Sequence, residues 1–173
     1  MNKLFLALLT GTLLTGMSFA ATAADKMGQT KAEYNAAKAR ADADYNASHA
    51  RCKDLSGNDR DVCVQKAKVV RAKAKAEAKA NFEGTGKAKL EANEEIIEAD
   101  YKVAKEKCDS LAGDAKDVCV AEAKAAYAKE KAALEAREDS MKADYKVAKE
   151  RCSTLSGSAR RSCLDDAKVK YDD

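Results

Sequence analysis

The sequence of 173 residues contains no proline and no tryptophan, and aromatic residues make up only 5% of it. Because β-branched and aromatic residues are sparse while Ala, Lys, Glu and Asp dominate, the composition disfavours an all-β fold and favours helices. The single histidine, His49, cannot complete a Ser-His-Asp set with so few serines, and the eight glycines form no phosphate-binding loop. Lys and Arg total 32 against 29 acidic residues, too small an excess for a nucleic-acid binder. We therefore predict an all-α protein without enzymatic activity.

The first 23 residues differ in composition from the rest of the chain. Lys3 precedes an uncharged, leucine-rich run from Leu4 to Phe19, and two small-residue sites follow it. This pattern is typical of a secretory signal peptide over residues 1–23, with cleavage after Ala20 or Ala23. A retained anchor is the alternative, but the run is shorter than the roughly 20 residues that span a bilayer. We therefore expect export to the periplasm of one elongated domain, 24–173, with no transmembrane segment in the mature chain.

One sequence unit occurs three times, at 43–68, 99–124 and 143–168. Each copy contains Ala-Asp-Tyr, a cysteine, a leucine, a glycine and a second cysteine at identical spacings. Steps of three and four place the tyrosine, the first cysteine and the leucine on one stripe of a helix. The glycine predicts a helix end and the residue after it a helix N-cap, so each copy predicts an antiparallel helical hairpin. The glycines and N-caps are Gly57-Asn58, Gly113-Asp114 and Gly157-Ser158.

All six cysteines lie in these repeats, as three pairs with ten residues between the partners. In an exported chain this pattern predicts disulfides. Because a hairpin places both cysteines of a pair at nearly the same height on neighbouring helices, we predict one bond within each hairpin. Closing each loop contributes about 2.8 kcal/mol by chain entropy, which offsets a core made mostly of alanine. The predicted pairs are Cys52–Cys63, Cys108–Cys119 and Cys152–Cys163.

Two other interpretations of the cysteines receive less weight. A redox-active disulfide has its reactive cysteine at a helix N-terminus, whereas the first cysteine of each pair lies near a helix C-terminus, where the dipole opposes a thiolate. A metal site could combine His49 with Cys52 and Cys63, but lysine occupies the position of His49 in the other two copies. We therefore expect structural disulfides, with no metal and no cofactor.

The segments that follow the first hairpin carry opposite charges. Residues 66–80 have a net charge of +5 and residues 91–100 a net charge of −5. Two nearby glycines disfavour a continuous helix at 83–86, and a turn there would bring the two charged segments together. We predict a further hairpin at this point, with a bent continuous rod as the alternative. The basic face of the first segment consists of Lys66, Lys68, Arg71, Lys73, Lys75 and Lys79.

The fourth predicted helix runs from Ala115 to Thr154 without a breaker, a length of about 60 Å. Apolar residues recur along it at a spacing of seven, which is typical of a coiled coil. Because its neighbours are shorter, its projecting part must pack on the fifth helix alone or be covered by a second chain. The fold class is therefore all-α: antiparallel hairpins in an elongated bundle with coiled-coil character. The seven-residue series is Val120, Tyr127, Leu134, Met141, Ala148 and Leu155.

The predicted helices of this chain are rich in Ala, Lys, Glu and Asp, most clearly over Ala72–Lys79. In this composition the chain resembles the stalk of the bacterial envelope protein TolA and small periplasmic proteins of Gram-negative bacteria. TolA-type proteins keep an N-terminal anchor and carry a globular C-terminal domain, and neither is evident here. The role of TolA in linking two membranes is therefore not expected of this chain.

We predict a structural or protein-interaction role in the cell envelope, with protein partners or self-association. One alternative is a periplasmic stress chaperone that covers exposed apolar surface of unfolded clients. Another is a peripheral membrane contact, in which the basic face binds anionic lipid or lipopolysaccharide. The candidate interaction surface is the basic face together with Tyr127, Leu134 and Met141.

Overall fold

The computed structural model describes residues 29–171, and the predicted signal peptide lies outside them. The described chain is helical throughout apart from short turns, and a 3₁₀ turn at Cys52–Asp54 follows the first helix. The predicted all-α class and the number and order of the helices are confirmed. Within residues 29–171, no helix combines the length and apolar character needed to cross a bilayer. The helices are α1 (Lys31–Arg51), α2 (Gly57–Glu83), α3 (Gly86–Cys108), α4 (Gly113–Ser153) and α5 (Gly157–Tyr171).

Helices α1 to α4 lie side by side in one antiparallel layer. Each packs on the next along the chain, whereas no described Cα atom of α1 comes within 8 Å of one in α3 or α4. Helix α2 makes no such approach to α4 either, over the same part of the chain. A layer one helix thick encloses no interior, and the buried hydrophobic residues are accordingly alanines, three cysteines and Val69.

Stripes of alanine form the seams between neighbouring helices. The α2–α3 seam is a buried cluster of Ala76, Ala80, Ala88 and Ala92, which lie at steps of four on each helix and so share a face. Small side chains let the two helix axes approach closely, and alanine has the highest helix propensity. Each seam nevertheless buries little apolar area, and hydrophobic stabilisation scales with that area at about 25 cal/mol per Å².

The turn between α2 and α3 confirms the predicted further hairpin, so the continuous-rod alternative is wrong. Gly84 ends α2 with φ 69°, a left-handed conformation that glycine adopts without steric cost. The Thr85 hydroxyl then caps α3 by accepting a hydrogen bond from the Ala88 N–H at 3.1 Å. Ion pairs between α2 and α3 cross this hairpin, as the opposite charges of the two segments predict.

Helix α4, with 41 residues, is long enough to pack on two partners in succession. Its first half packs on α3 and its second half on α5, so that α3 and α5 lie end to end along it. The two ends meet at Gly86, where an added Cβ would lie 2.5 Å from the Lys170 carbonyl oxygen and would also contact Met141. The projecting part of α4 therefore packs on α5, the first of the two predicted arrangements.

The three repeat glycines are left-handed as predicted, with φ between 55° and 58°. The predicted N-caps Asn58, Asp114 and Ser158 are wrong, because each glycine is itself the first residue of the following helix. A residue with extended backbone precedes two of these helices: Ser56 before α2 and Ala112 before α4. Neither side chain makes a capping hydrogen bond. The left-handed glycine thus turns the chain directly into the next helix.

Candidate interaction surfaces

Each repeat folds into a hairpin tip closed by its own disulfide; we call residues 52–63 tip 1, 108–119 tip 2 and 152–163 tip 3. The Cα–Cα distances are 5.6, 5.7 and 5.6 Å, and no described cysteine is free. The predicted pairing is therefore confirmed. The first cysteine of each pair is fully buried and the second is half-buried, so the bonds lie between the two helices of each hairpin.

The backbone of the tip is the same in all three copies. The N–H of the tip leucine donates to the carbonyl of the first cysteine at 3.2, 3.1 and 3.1 Å. The leucines are exposed, at 43% for Leu55, 41% for Leu111 and 42% for Leu155. Their predicted place on the same helical stripe as the tyrosine and the first cysteine is wrong, because the helix ends before them and Leu55 has extended backbone at φ −101°, ψ 163°. Each apex therefore presents an apolar side chain to solvent.

The tips point in two directions. Tips 1 and 2 lie at the same end of the layer, because α1 runs parallel to α3 and α2 runs parallel to the first half of α4. Tip 3 lies at the opposite end, where α4 continues beyond the level of Met141 and Gly86 and, within residues 29–171, packs on α5 alone. The described part of the molecule thus has a broad end with two tips and a narrow end with one.

Shallow grooves run beside the disulfides of tips 1 and 3. The first is lined by the Cys52–Cys63 pair together with Leu55, Val62 and Val70. The second is lined at equivalent repeat positions by the Cys152–Cys163 pair and Ala167, but it carries Lys170 where the first has Val70. The same backbone therefore offers an apolar groove in one copy and a more polar one in another.

The repeated tyrosine packs over the partner helix rather than into a core. The guanidinium of Arg71 lies 5.0 Å from the ring centre of Tyr45, and at the equivalent place in the second repeat Tyr127 stacks on Tyr101 at 4.7 Å. His49 lies against Tyr45 at 5.5 Å, in the position that Lys105 and Lys149 occupy over their tyrosines. These contacts are small sources of stability.

The arrangement around His49 provides no metal ligands. Cys52 and Cys63 are bonded to each other and so present no thiolate, which zinc-type sites require. Among the described residues, no cluster of His, Cys, Asp and Glu side chains could hold a metal ion.

Four of the six residues of the basic face form ion pairs with neighbouring helices. Arg71 and Lys75 both reach Asp42 of α1, at 2.5 and 2.7 Å. Lys73 binds Asp100 at 2.7 Å and Lys79 binds Glu91 at 2.9 Å, both on α3. Lys66 and Lys68, near tip 1, are exposed. The packing therefore neutralises most of this predicted surface.

These pairs also shift pKa values. The hydrogen bond from Lys75, with a further one from Arg71, holds the pKa of the Asp42 carboxyl below its usual value. The hydrogen bond from Lys79 lowers the pKa of Glu91 in the same way, and Glu91 raises the pKa of Lys79. All of these groups are solvated, so their contribution to stability is small.

The apolar candidates on α4 are half-buried. Tyr127 stacks on Tyr101, and Met141 lies against Gly86 at the junction of α3 and α5. Leu134 lies between them along α4 and is half-buried too. These side chains therefore already contribute to contacts within the chain, and their role toward a partner stays a prediction, as does coiled-coil packing.

The tips differ in charge although they share a backbone. Between its cysteines, tip 1 has two basic and three acidic residues, and tip 2 has one basic and three acidic residues. Tip 3 has two basic residues, Arg160 and Arg161, and no acidic one. Every side chain between Cys152 and Cys163 is exposed.

Comparison with known proteins found no match to the chain among family models, curated proteins or solved structures.

Sequence reasoning missed two positions that the structure makes important. Asp42 is the shared partner of Arg71 and Lys75, and it stands outside the acidic segment that was matched to the basic face. Gly86 is needed for the close approach of α5, whereas its sequence context suggested only a turn. No local pattern marks a contact between elements 84 residues apart, so only the packing reveals it.

Proposed function

We propose that this chain is a non-enzymatic structural or interaction protein of the cell envelope, exported to the periplasm by its signal peptide. The observation that carries the proposal is the set of tip leucines. Their position is repeated in three copies within one chain, and 41–43% of each leucine is exposed at the apex of its hairpin. Three apolar side chains held at fixed positions on the surface offer contact points to a partner.

Two further features of the described chain support the same role. None of the described residues that are polar or charged is buried, so the ordinary means of perturbing a catalytic group is missing from that part of the chain. Three intrachain disulfides suit an oxidising compartment such as the periplasm. A helical layer that is cross-linked by disulfides and exposed on both faces can hold several contact residues at fixed distances from one another.

Site-specific photocrosslinking in intact cells tests the proposal. A photoreactive side chain at Leu55 or Leu111 should give one discrete adduct in the periplasmic fraction, whereas the same group at the exposed Ala136 of α4 should not. Absence of an adduct from both tips, or a chain that stays in the cytoplasm with free thiols, would contradict it.

A periplasmic holdase is the second candidate, favoured by large apolar side chains exposed along the helices. Val70, Val118, Val147 and Val169 are 50–61% exposed and could cover apolar surface of an unfolded client. Near-stoichiometric suppression of client aggregation would support this role, and inactivity toward several unrelated clients would remove it. A single discrete adduct at the tips would favour the scaffold instead.

A further inference from the structure

Tip 3 combines three features that tips 1 and 2 do not combine. Its apex leucine, Leu155, is exposed, three arginines lie within six residues of it in the sequence, and no carboxylate lies between its cysteines. The first arginine immediately precedes Cys152 and the other two follow the glycine of the tip. All three are exposed, and they are Arg151, Arg160 and Arg161.

The repeats show which substitutions make this difference. Arg151 and Arg160 have basic counterparts in both other tips, whereas Arg161 stands where they have Asp61 and Asp117. Further carboxylates of tips 1 and 2 are replaced by neutral residues in tip 3, where Ala159 corresponds to Asp59 and Ser158 to Asp114. Since the backbone is the same, tip 3 differs from its neighbours in surface chemistry and not in shape.

The position of tip 3 makes it accessible end-on. It lies at the narrow end of the molecule, beyond the level where α3 and α5 meet. The nearest acidic residues in the sequence, Glu150 and Asp165, lie on the helix side of the disulfide, as does Arg151, whereas Arg160 and Arg161 lie between the cysteines. A flat surface can therefore approach Leu155 together with Arg160 and Arg161.

We propose that tip 3 binds an anionic phospholipid surface, with Leu155 entering the headgroup layer and the arginines binding lipid phosphates. Guanidinium groups pair well with phosphate oxygens, and an exposed apolar side chain on a positively charged tip suits a surface whose outer layer is anionic and whose interior is apolar. The proposal goes beyond the scaffold role and does not depend on it. The basic face is a weaker candidate for the predicted membrane contact, because most of its charges are paired. The proposed contact lies instead at the end of the α4–α5 hairpin.

A reciprocal exchange of tips tests this proposal in the full, oxidised chain. In one variant, residues 153–162 receive the sequence of 53–62; in the other, residues 53–62 receive the sequence of 153–162. Each inserted sequence already forms a tip of the same geometry in this molecule, so both variants should fold, which peptide mapping and circular dichroism verify. The probes are phosphatidylcholine vesicles with and without phosphatidylglycerol.

The wild-type chain should sediment with the anionic vesicles only, and added salt should release it. The exchange at tip 3 changes its net charge from +2 to −1 and should weaken partitioning about 100-fold, since each unit of charge near an anionic surface contributes about fivefold. The reciprocal variant should bind more tightly than wild type. Leu155→Ser should weaken binding several-fold, whereas its matched control Leu111→Ser should not.

Four outcomes would overturn the proposal. They are failure of the wild-type chain to bind anionic vesicles, equal binding to neutral vesicles, unchanged binding after the exchange at tip 3, and loss of binding only when Lys66 and Lys68 are neutralised. Binding to soluble polyphosphate or to an acidic protein without binding to vesicles falls under the first of these.

Discussion

The layer formed by α1 to α3 with the first half of α4 and the arm formed by α5 with the second half of α4 are built from the same repeat but are stabilised differently. Helix α2 is packed on both sides and buries Ala67, Val69, Ala76, Ala78 and Ala80. Helix α5 has one neighbour along its length and buries only Ala167 among its described residues. The same tip therefore connects helices in two settings. In the layer, packing on neighbouring helices adds to the stability of the hairpin, whereas in the arm the stability of the hairpin depends largely on its disulfide.

The largest expected difference between layer and arm follows removal of a disulfide. Replacing Cys152 and Cys163 by serine should cost about 2.8 kcal/mol and unfold α5, because an isolated helix of 15 residues is marginal in water. Hydrogen exchange should then show full loss of protection in α5 with little change in α2.

Replacing Cys52 and Cys63 is the matched control. Helix α1 has 21 residues and keeps Asp42 paired and Tyr34 stacked on Phe82 at 4.9 Å, so it should retain partial protection. Equal loss of α1 and α5 in the two variants would show that the longer seam between α1 and α2 protects no better than the seam between α4 and α5.

The alanine seam of the layer is tested by overpacking it. Ala80→Leu adds volume where α2 meets α3 and should lower the unfolding free energy by about 1–3 kcal/mol. Ala136→Leu on the exposed side of α4 should change it by less than about 0.5 kcal/mol. Denaturant titration measures both, and a neutral effect at Ala80 would mean that the helices do not approach as closely as the seam requires.

The junction of the arm is tested at Gly86. Alanine there favours the helix intrinsically, but its Cβ would lie against the Lys170 carbonyl and Met141. Gly86→Ala should therefore displace the end of α5 and speed hydrogen exchange in its last turns, leaving tip 3 closed. Lys87→Ala, at an exposed neighbouring position, should have no such effect. If Gly86→Ala instead stabilised α5, the end-to-end contact would be wrong.

The smallest expected effect is that of pH on the layer. The folded-state pKa values of Asp42 and Glu91 are lowered by their basic partners, so these pairs stabilise the folded state above the unfolded carboxyl pKa values, near pH 4. Their contribution should be lost as pH falls through the lower folded-state values. Asp42→Asn should flatten this acid dependence slightly in an unfolding series, and an unchanged series would show that the Asp42 pairs are not formed in solution.

The repeat explains why much of this fold could be predicted. Three copies at fixed spacing placed three of the four turns and all three disulfides, and the two nearby glycines with the opposite charges placed the turn at Gly84. The outward position of the tip leucines could not be read from periodicity, because the helix stops just before them. The contact of α5 with Gly86 could not be read either, because it depends on the length of α4 and not on any local residue pattern.

The central claim is that three short disulfides supply the stability that a one-helix-thick layer cannot obtain from its alanine seams. Chemical denaturation of the oxidised chain and of the fully reduced, alkylated chain, followed by circular dichroism, tests it most directly. We expect a loss of roughly 8 kcal/mol on reduction, enough to leave the helices largely unfolded in water. A reduced chain that unfolds cooperatively at a similar denaturant concentration would contradict the account.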